Sequence, residues 1–119
     1  MSLKSFAAQI FAKNIAKKTA EWVNNPIQTQ EKVFQSLLAT AKNTDFGKDH
    51  HFSNIKTHAQ FIENVPIRDY EELKGYVEKV VAGQKDVLWP GKPAYFAKTS
   101  GTTSGVKYIP ITHESIKYQ

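Results

Sequence analysis

Strand-forming signal in this chain is confined to two short runs near its C-terminus, residues 94–98 and 107–111. Two strand candidates that follow one another across a glycine-containing loop can pair as an antiparallel hairpin, but they cannot build a larger sheet by themselves. Everything before them reads as helix or turn. The expected architecture is α/β in class: mostly helical, ending in a β-hairpin.

Residues 3–23 have helical periodicity with a drifting apolar stripe. Leu3, Phe6 and Ile10 share one face, which Lys13 and Lys17 continue, while Phe11, Ile15 and Trp22 lie on another. A membrane-surface helix holds one steady apolar face, so a helix packed on the rest of the protein is expected in preference to a targeting or membrane segment. A second helix is expected from Asn25, with Asn25 as cap, Pro26 at the first helical position and Gln28 as capping-box partner. Val33, Phe34, Leu37, Leu38 and Ala41 carry its periodicity to about residue 42. Residues 43–57 lose the pattern and read as loop and turns around Gly47, with a short helical piece at 58–63. The clearest helix is 69–82. Asp69 and Glu72 make its capping box, Tyr70, Leu73, Val77, Val80 and Val81 form one apolar face, and Gly83 stops it.

Composition narrows the function classes. At 119 residues the chain has room for one small domain. No apolar run reaches the ~18–20 residues of a membrane span, and the longest early one is broken by Gln9. Without cysteine there is no disulfide framework and no thiolate metal site, which fits the expectation of a cytoplasmic protein. The net charge is +5, but four lysines and no acid fall in residues 1–20, leaving 12 bases against 11 acids elsewhere. With Arg68 the single arginine, nucleic-acid binding is not expected. His50, His51 and His58 lack the spacing of a metal site and read as a solvated turn. Trp89 and Tyr95 read as packing residues, and Arg68 and Asp69 as turn and cap.

One stretch carries chemistry: Thr99-Ser100-Gly101-Thr102-Thr103-Ser104-Gly105-Val106-Lys107. Five of its nine residues bear hydroxyls, two are glycine and the last is a cation. Glycines let backbone N–H groups converge into an anion nest, hydroxyls donate to phosphate oxygens with little bulk, and Lys107 adds charge. It is not a Walker A loop, because three residues rather than four separate the glycines, Val106 precedes the lysine, and a strand rather than a helix follows. From composition alone, a flexible Ser/Thr/Gly hairpin loop that binds nothing is the competing description.

The order of those residues resembles the phosphate-binding signature of adenylate-forming enzymes. The wider sequence is similar to one branch of them, the auxin-responsive-promoter family of acyl-acid amido synthetases. The resemblance runs through Thr44-Asp45-Phe46-Gly47-Lys48, Val65-Pro66-Ile67-Arg68-Asp69-Tyr70-Glu71 and Leu88-Trp89-Pro90-Gly91-Lys92-Pro93. It continues through Tyr95-Phe96-Ala97-Lys98 into the loop and then Tyr108-Ile109-Pro110-Ile111-Thr112, covering about residues 30–119. Acyl-CoA ligases, the neighbouring branch, usually end the loop Thr-Gly-x-Pro-Lys. The ending here, Thr103-Ser104-Gly105-Val106-Lys107, favours the amido synthetases.

The resemblance implies a phosphate loop in which Thr99, Ser100, Gly101, Thr102, Thr103, Ser104 and Gly105 hold ATP, while Lys107 stabilises the loop or the departing pyrophosphate. It implies a small-molecule carboxylic acid and an amino acid as substrates; neither nucleic acid nor membrane is expected as partner on the charge and hydropathy patterns above. Ligands for Mg²⁺, the base and ribose pockets and a mobile C-terminal domain are expected in later segments of a longer chain. Residues 1–119 are thus expected to be an incomplete N-terminal portion of a larger adenylate-forming domain, inactive alone. The rival from another class is a small non-catalytic interaction module.

Overall fold

A computed structural model describes residues 2–101 and 105–118. The chain divides into two compact units, residues 1–36 and 37–119.

In the first unit, α1 (Leu3–Asn24) starts where the Ser2 hydroxyl accepts the Ser5 N–H at 3.2 Å. Asn25 closes this helix: its backbone N–H and its side-chain amide both donate to the Glu21 carbonyl, at 3.1 and 3.2 Å. The side chain expected to cap the second helix therefore serves the end of the first. No residue of α1 is buried, and Leu3, Phe6, Phe11 and Trp22 are each more than half exposed. Within its own unit this helix thus has no buried face. No helix among the described residues is long and apolar enough to cross a membrane.

Helix α2 (Pro26–Ala41) begins at the proline as expected and runs across the boundary between the units. Its apolar stripe is buried only at the C-terminal end, by Leu38 and Ala41, whereas Val33 and Leu37 remain about half exposed. Leu38 and Ala41 open the core of the second unit, which Ile55, Val77, Val80 and Val87 complete.

The segment 43–57, expected to be loop, instead contains α3 (Asp45–Asp49) and a 3₁₀ turn at Phe52–Asn54. Thr44 caps α3 by accepting the Gly47 N–H at 3.0 Å, and its own hydroxyl donates to the Ala41 carbonyl at 2.7 Å. A Cβ at position 47 would collide with that same carbonyl, so only glycine lets α3 fold back against the end of α2. Two N–H groups at the start of α3, which the helix itself leaves unpaired, find distant acceptors: Asp45 N–H reaches the Asp86 carbonyl at 2.8 Å, and Phe46 N–H the Val87 carbonyl at 3.0 Å. A helix of one turn satisfies too few of its own groups to persist alone. These tertiary bonds supply what its sequence pattern could not announce.

Helix α4 (His58–Asn64) carries a Thr57/Gln60 capping box, and α5 (Tyr70–Val81) the expected Asp69/Glu72 box. Gly83 N–H bonds the Val80 carbonyl and Gln84 N–H that of Lys79, both at 3.0 Å, which is the paired arrangement of a glycine-terminated helix. Strands β1 (Tyr95–Lys98) and β2 (Tyr108–Ile111) pair antiparallel with Tyr95 opposite Ile111 and Lys98 opposite Tyr108. The mostly helical architecture with a closing hairpin is thus present, and α5 packs against β2.

Candidate functional site

The hairpin joins its strands through residues 99–107, and the described part of that loop is drawn together at its base. Thr99 N–H donates to the Lys107 carbonyl at 3.0 Å, and Lys107 N–H reaches back to the Thr99 hydroxyl oxygen at 3.4 Å. Above this pair the two glycines face each other, since a Cβ on Gly101 would overlap the Gly105 carbonyl. Gly105 has φ of +79°, a backbone conformation that side chains of L residues rarely adopt. Ser100, Gly101 and Gly105 are exposed. Thr102, Thr103 and Ser104, expected to hold phosphate, lie outside the described residues.

Lys107 is half-buried rather than waving in solvent. Its Nζ stands 5.5 Å from the centroid of the Tyr70 ring. The Tyr70 hydroxyl accepts the N–H of Tyr108, the next residue, at 2.9 Å. Sequence reasoning placed Tyr70 on the apolar face of its helix and missed this second use. The available signal was chemical: a tyrosine on a packed face still needs a partner for its hydroxyl.

The other quoted motifs lie elsewhere in the second unit. Asp45 Oδ2 accepts the Gln84 side-chain amide at 2.8 Å and lies 3.4 Å from Lys79 Nζ. Tyr76 donates its hydroxyl to Asp49 Oδ2 at 2.6 Å. Burial raises the Tyr76 pKa above its usual value, the bond to Asp49 adds to the rise, and Arg68 partly offsets it. Arg68 therefore faces a tyrosine besides standing in the turn before α5. Asp86, with its carboxylate accepting the Gly91 N–H at 2.6 Å, folds the tryptophan-proline segment into a tight loop. Trp89 lines a small apolar cavity with Val80, Val87 and Pro110, and its Nε1 is buried without a partner among the described residues. Tyr95, also expected to pack, is 50% exposed.

His50 corrects the reading of a solvated histidine turn. It is buried, stacked on Phe46 with ring centroids 4.0 Å apart, and its Nδ1 lies 2.7 Å from the Phe46 carbonyl. A carbonyl can only accept, so Nδ1 carries the proton. Among the described residues no three His, Cys, Asp or Glu side chains converge as a metal-binding group. Among the described residues no such group lies near the loop to fit Mg²⁺; what meets there is two facing glycines, the Thr99 hydroxyl and the half-buried Lys107.

Comparison with known proteins agrees with the resemblance read from the motifs and extends it. The GH3 family N-terminal domain matches residues 15–119, reaching into α1 beyond the expected limit near residue 30. The chain is 30% identical over 96 residues to indole-3-acetic acid-amido synthetase GH3.15 of Arabidopsis thaliana, covering 78% of this chain and 16% of that protein. Similarity to indole-3-acetic acid-amido synthetase GH3.4 of the same plant is 30% over 98 residues, covering 81% and 16%. A probable indole-3-acetic acid-amido synthetase of Oryza sativa subsp. japonica, GH3.13, is 38% identical over 60 residues, which cover 49% of this chain and 13% of that protein. The chain thus spans about a sixth of the length of the first two relatives. Matched along nearly its whole length to that domain, the chain belongs to the GH3 family.

Proposed function

We propose that this chain supplies the ATP-phosphate loop of an acyl-acid amido synthetase. In the first step a carboxylate oxygen attacks the α-phosphorus of ATP and pyrophosphate leaves, giving an acyl-adenylate. In the second an amino acid's amine attacks the acyl carbon, loses its proton and expels AMP. The observation that carries this reading is the closed base of the 99–107 loop with Lys107 beside it, in a chain similar to enzymes named amido synthetases.

Side chains have little covalent work in adenylation, where positioning and charge stabilisation dominate. Thr99 N–H is engaged with Lys107, so Thr99 would meet a phosphate through its hydroxyl proton. Ser100, Gly101, Thr102, Thr103, Ser104 and Gly105 would offer N–H and hydroxyl donors, and Lys107 would neutralise charge gathering on the departing pyrophosphate. Mg²⁺, when bound, would add charge neutralisation from ligands outside these residues.

The decisive measurement is carboxylate-dependent ATP–pyrophosphate exchange by the full-length protein. Indole-3-acetic acid, the acid in the relatives' names, is the first to try, followed by product analysis with amino acids. Lys107→Ala should slow exchange by about ten- to a thousandfold, and the products should be amides. An unchanged rate in Lys107→Ala would remove the lysine from the mechanism. Thioesters formed with CoA, and no amides, would move the protein to the acyl-CoA ligase branch. Absence of exchange with every acid would leave the interaction module standing.

A further inference from the structure

On the reading of 99–107 as a phosphate loop, we infer that Tyr70 is a positioning residue that holds Lys107 at its post. Tyr70 is the first residue of α5, next to Asp69, whose carboxylate accepts the Glu72 N–H while the Glu72 carboxylate accepts the Asp69 N–H, both at 3.0 Å. That reciprocal pair fixes the start of the helix and so the point from which the Tyr70 ring departs. From there one side chain makes contacts with two consecutive residues, Lys107 just before β2 and Tyr108 at its start. Its face lies under the Lys107 ammonium at 5.5 Å, and its hydroxyl accepts the Tyr108 N–H at 2.9 Å.

The hydroxyl contact does not compete with the hairpin. Thr99 N–H bonds the Lys107 carbonyl, so by the alternation of an antiparallel ladder the N–H of Tyr108 points away from β1. Tyr70 meets an otherwise outward donor and ties to α5 the start of β2, which Lys107 immediately precedes. The ring contact suits a lysine that must bind an anion. An aromatic face attracts the ammonium without taking a hydrogen from it, leaving its three N–H donors for phosphate oxygens. An acidic partner would compete with that anion, and neither of the ion pairs among the described residues, Lys74 with Glu71 and Lys79 with Asp45, involves Lys107. Lysine is a flexible point charge; over this ring it is confined to one side of the loop, with no acid among the described residues ion-paired to it.

The test is a mutant cycle on the full-length protein, read by carboxylate-dependent pyrophosphate exchange and by thermal melting. Lys107→Gln first establishes that exchange depends on the lysine. Tyr70→Leu should then lower kcat by about three- to thirtyfold. In the Lys107→Gln background the same change should have almost no further effect. Tyr70→Phe, which keeps the face and loses the hydroxyl, should retain exchange within about threefold of the parent. Tyr70→Met replaces Tyr70→Leu should that variant fail to fold. If Lys107→Gln leaves exchange unchanged, the phosphate-loop reading falls and the inference with it. If exchange is sensitive to Lys107→Gln, the inference alone is overturned by any of three results: a silent Tyr70→Leu or Tyr70→Met, an equal loss in both backgrounds, or Tyr70→Phe as impaired as Tyr70→Leu.

Discussion

Two polar motifs that carry the family resemblance, Thr44–Lys48 and Thr99–Lys107, are bonded in contrasting ways by the fold. At the first, the Thr44 hydroxyl bonds on both sides, Asp45 and Phe46 donate to the 86–87 backbone, and the Asp45 carboxylate takes Gln84 and Lys79. At the second, the bonds among the described residues lie at the base, while Ser100, Gly101 and Gly105 face solvent. A motif whose donors and acceptors are satisfied internally holds the structure together. In the other, the bonds seen among the described residues close the foot and leave Ser100, Gly101 and Gly105 exposed.

That contrast can be broken by experiment, and the largest effect is expected at position 47. Gly47→Ala drives a methyl group into the Ala41 carbonyl, which should cost about 3 kcal/mol or more of stability in urea unfolding. A variant as stable as the parent would show that the junction of α2 and α3 yields readily. Thr44→Val removes a cap and a buried hydroxyl bond together and should cost about 2 kcal/mol by the same assay.

A smaller effect is expected from pH. The folded pKa of Tyr76 lies above its unfolded value of 10.0, so the folded state holds that proton more tightly. Its contribution is complete below pH 10 and is lost as pH rises through the folded pKa. Melting temperatures followed upward from pH 9 should fall more steeply in the parent than in Tyr76→Phe; parallel curves would refute the assignment. Smallest of all should be the stability change in Lys107→Ala, about 0.5 kcal/mol, despite its large expected effect on exchange. A loss comparable to that of Thr44→Val would erase the distinction between the two motifs.

What could be read from the residues was whatever is local. The Asp69/Glu72 capping box, the stop at Gly83 and the two strand runs each depend on neighbours within a few positions, and each is present. Helix α3 was hidden because five residues are too few for periodicity and its support comes from carbonyls some forty residues away. His50 was misread for a related reason, since its burial depends on a stack with Phe46 inside that unrecognised helix. The loop's composition and order were legible, and so was the place of Lys107 at its end. The ring beneath Lys107 was not, because nothing in the spacing of residues 70 and 107 says that they meet.

Proline at position 110 has a consequence for how this hairpin meets other chains. Phe96 faces Pro110 across the ladder, at a step where backbone groups point outward. On the outer edge of β2, position 110 therefore offers no N–H, and two residues earlier the outward N–H of Tyr108 is already held by Tyr70. An incoming strand finds that edge short of donors, which blunts it as a template for aggregation. The β1 edge, with outward backbone groups at Phe96 and Lys98, has no such defect. Sheet growth from this hairpin, whether by a neighbouring segment or by a stray copy, is accordingly directional: it proceeds from the β1 side.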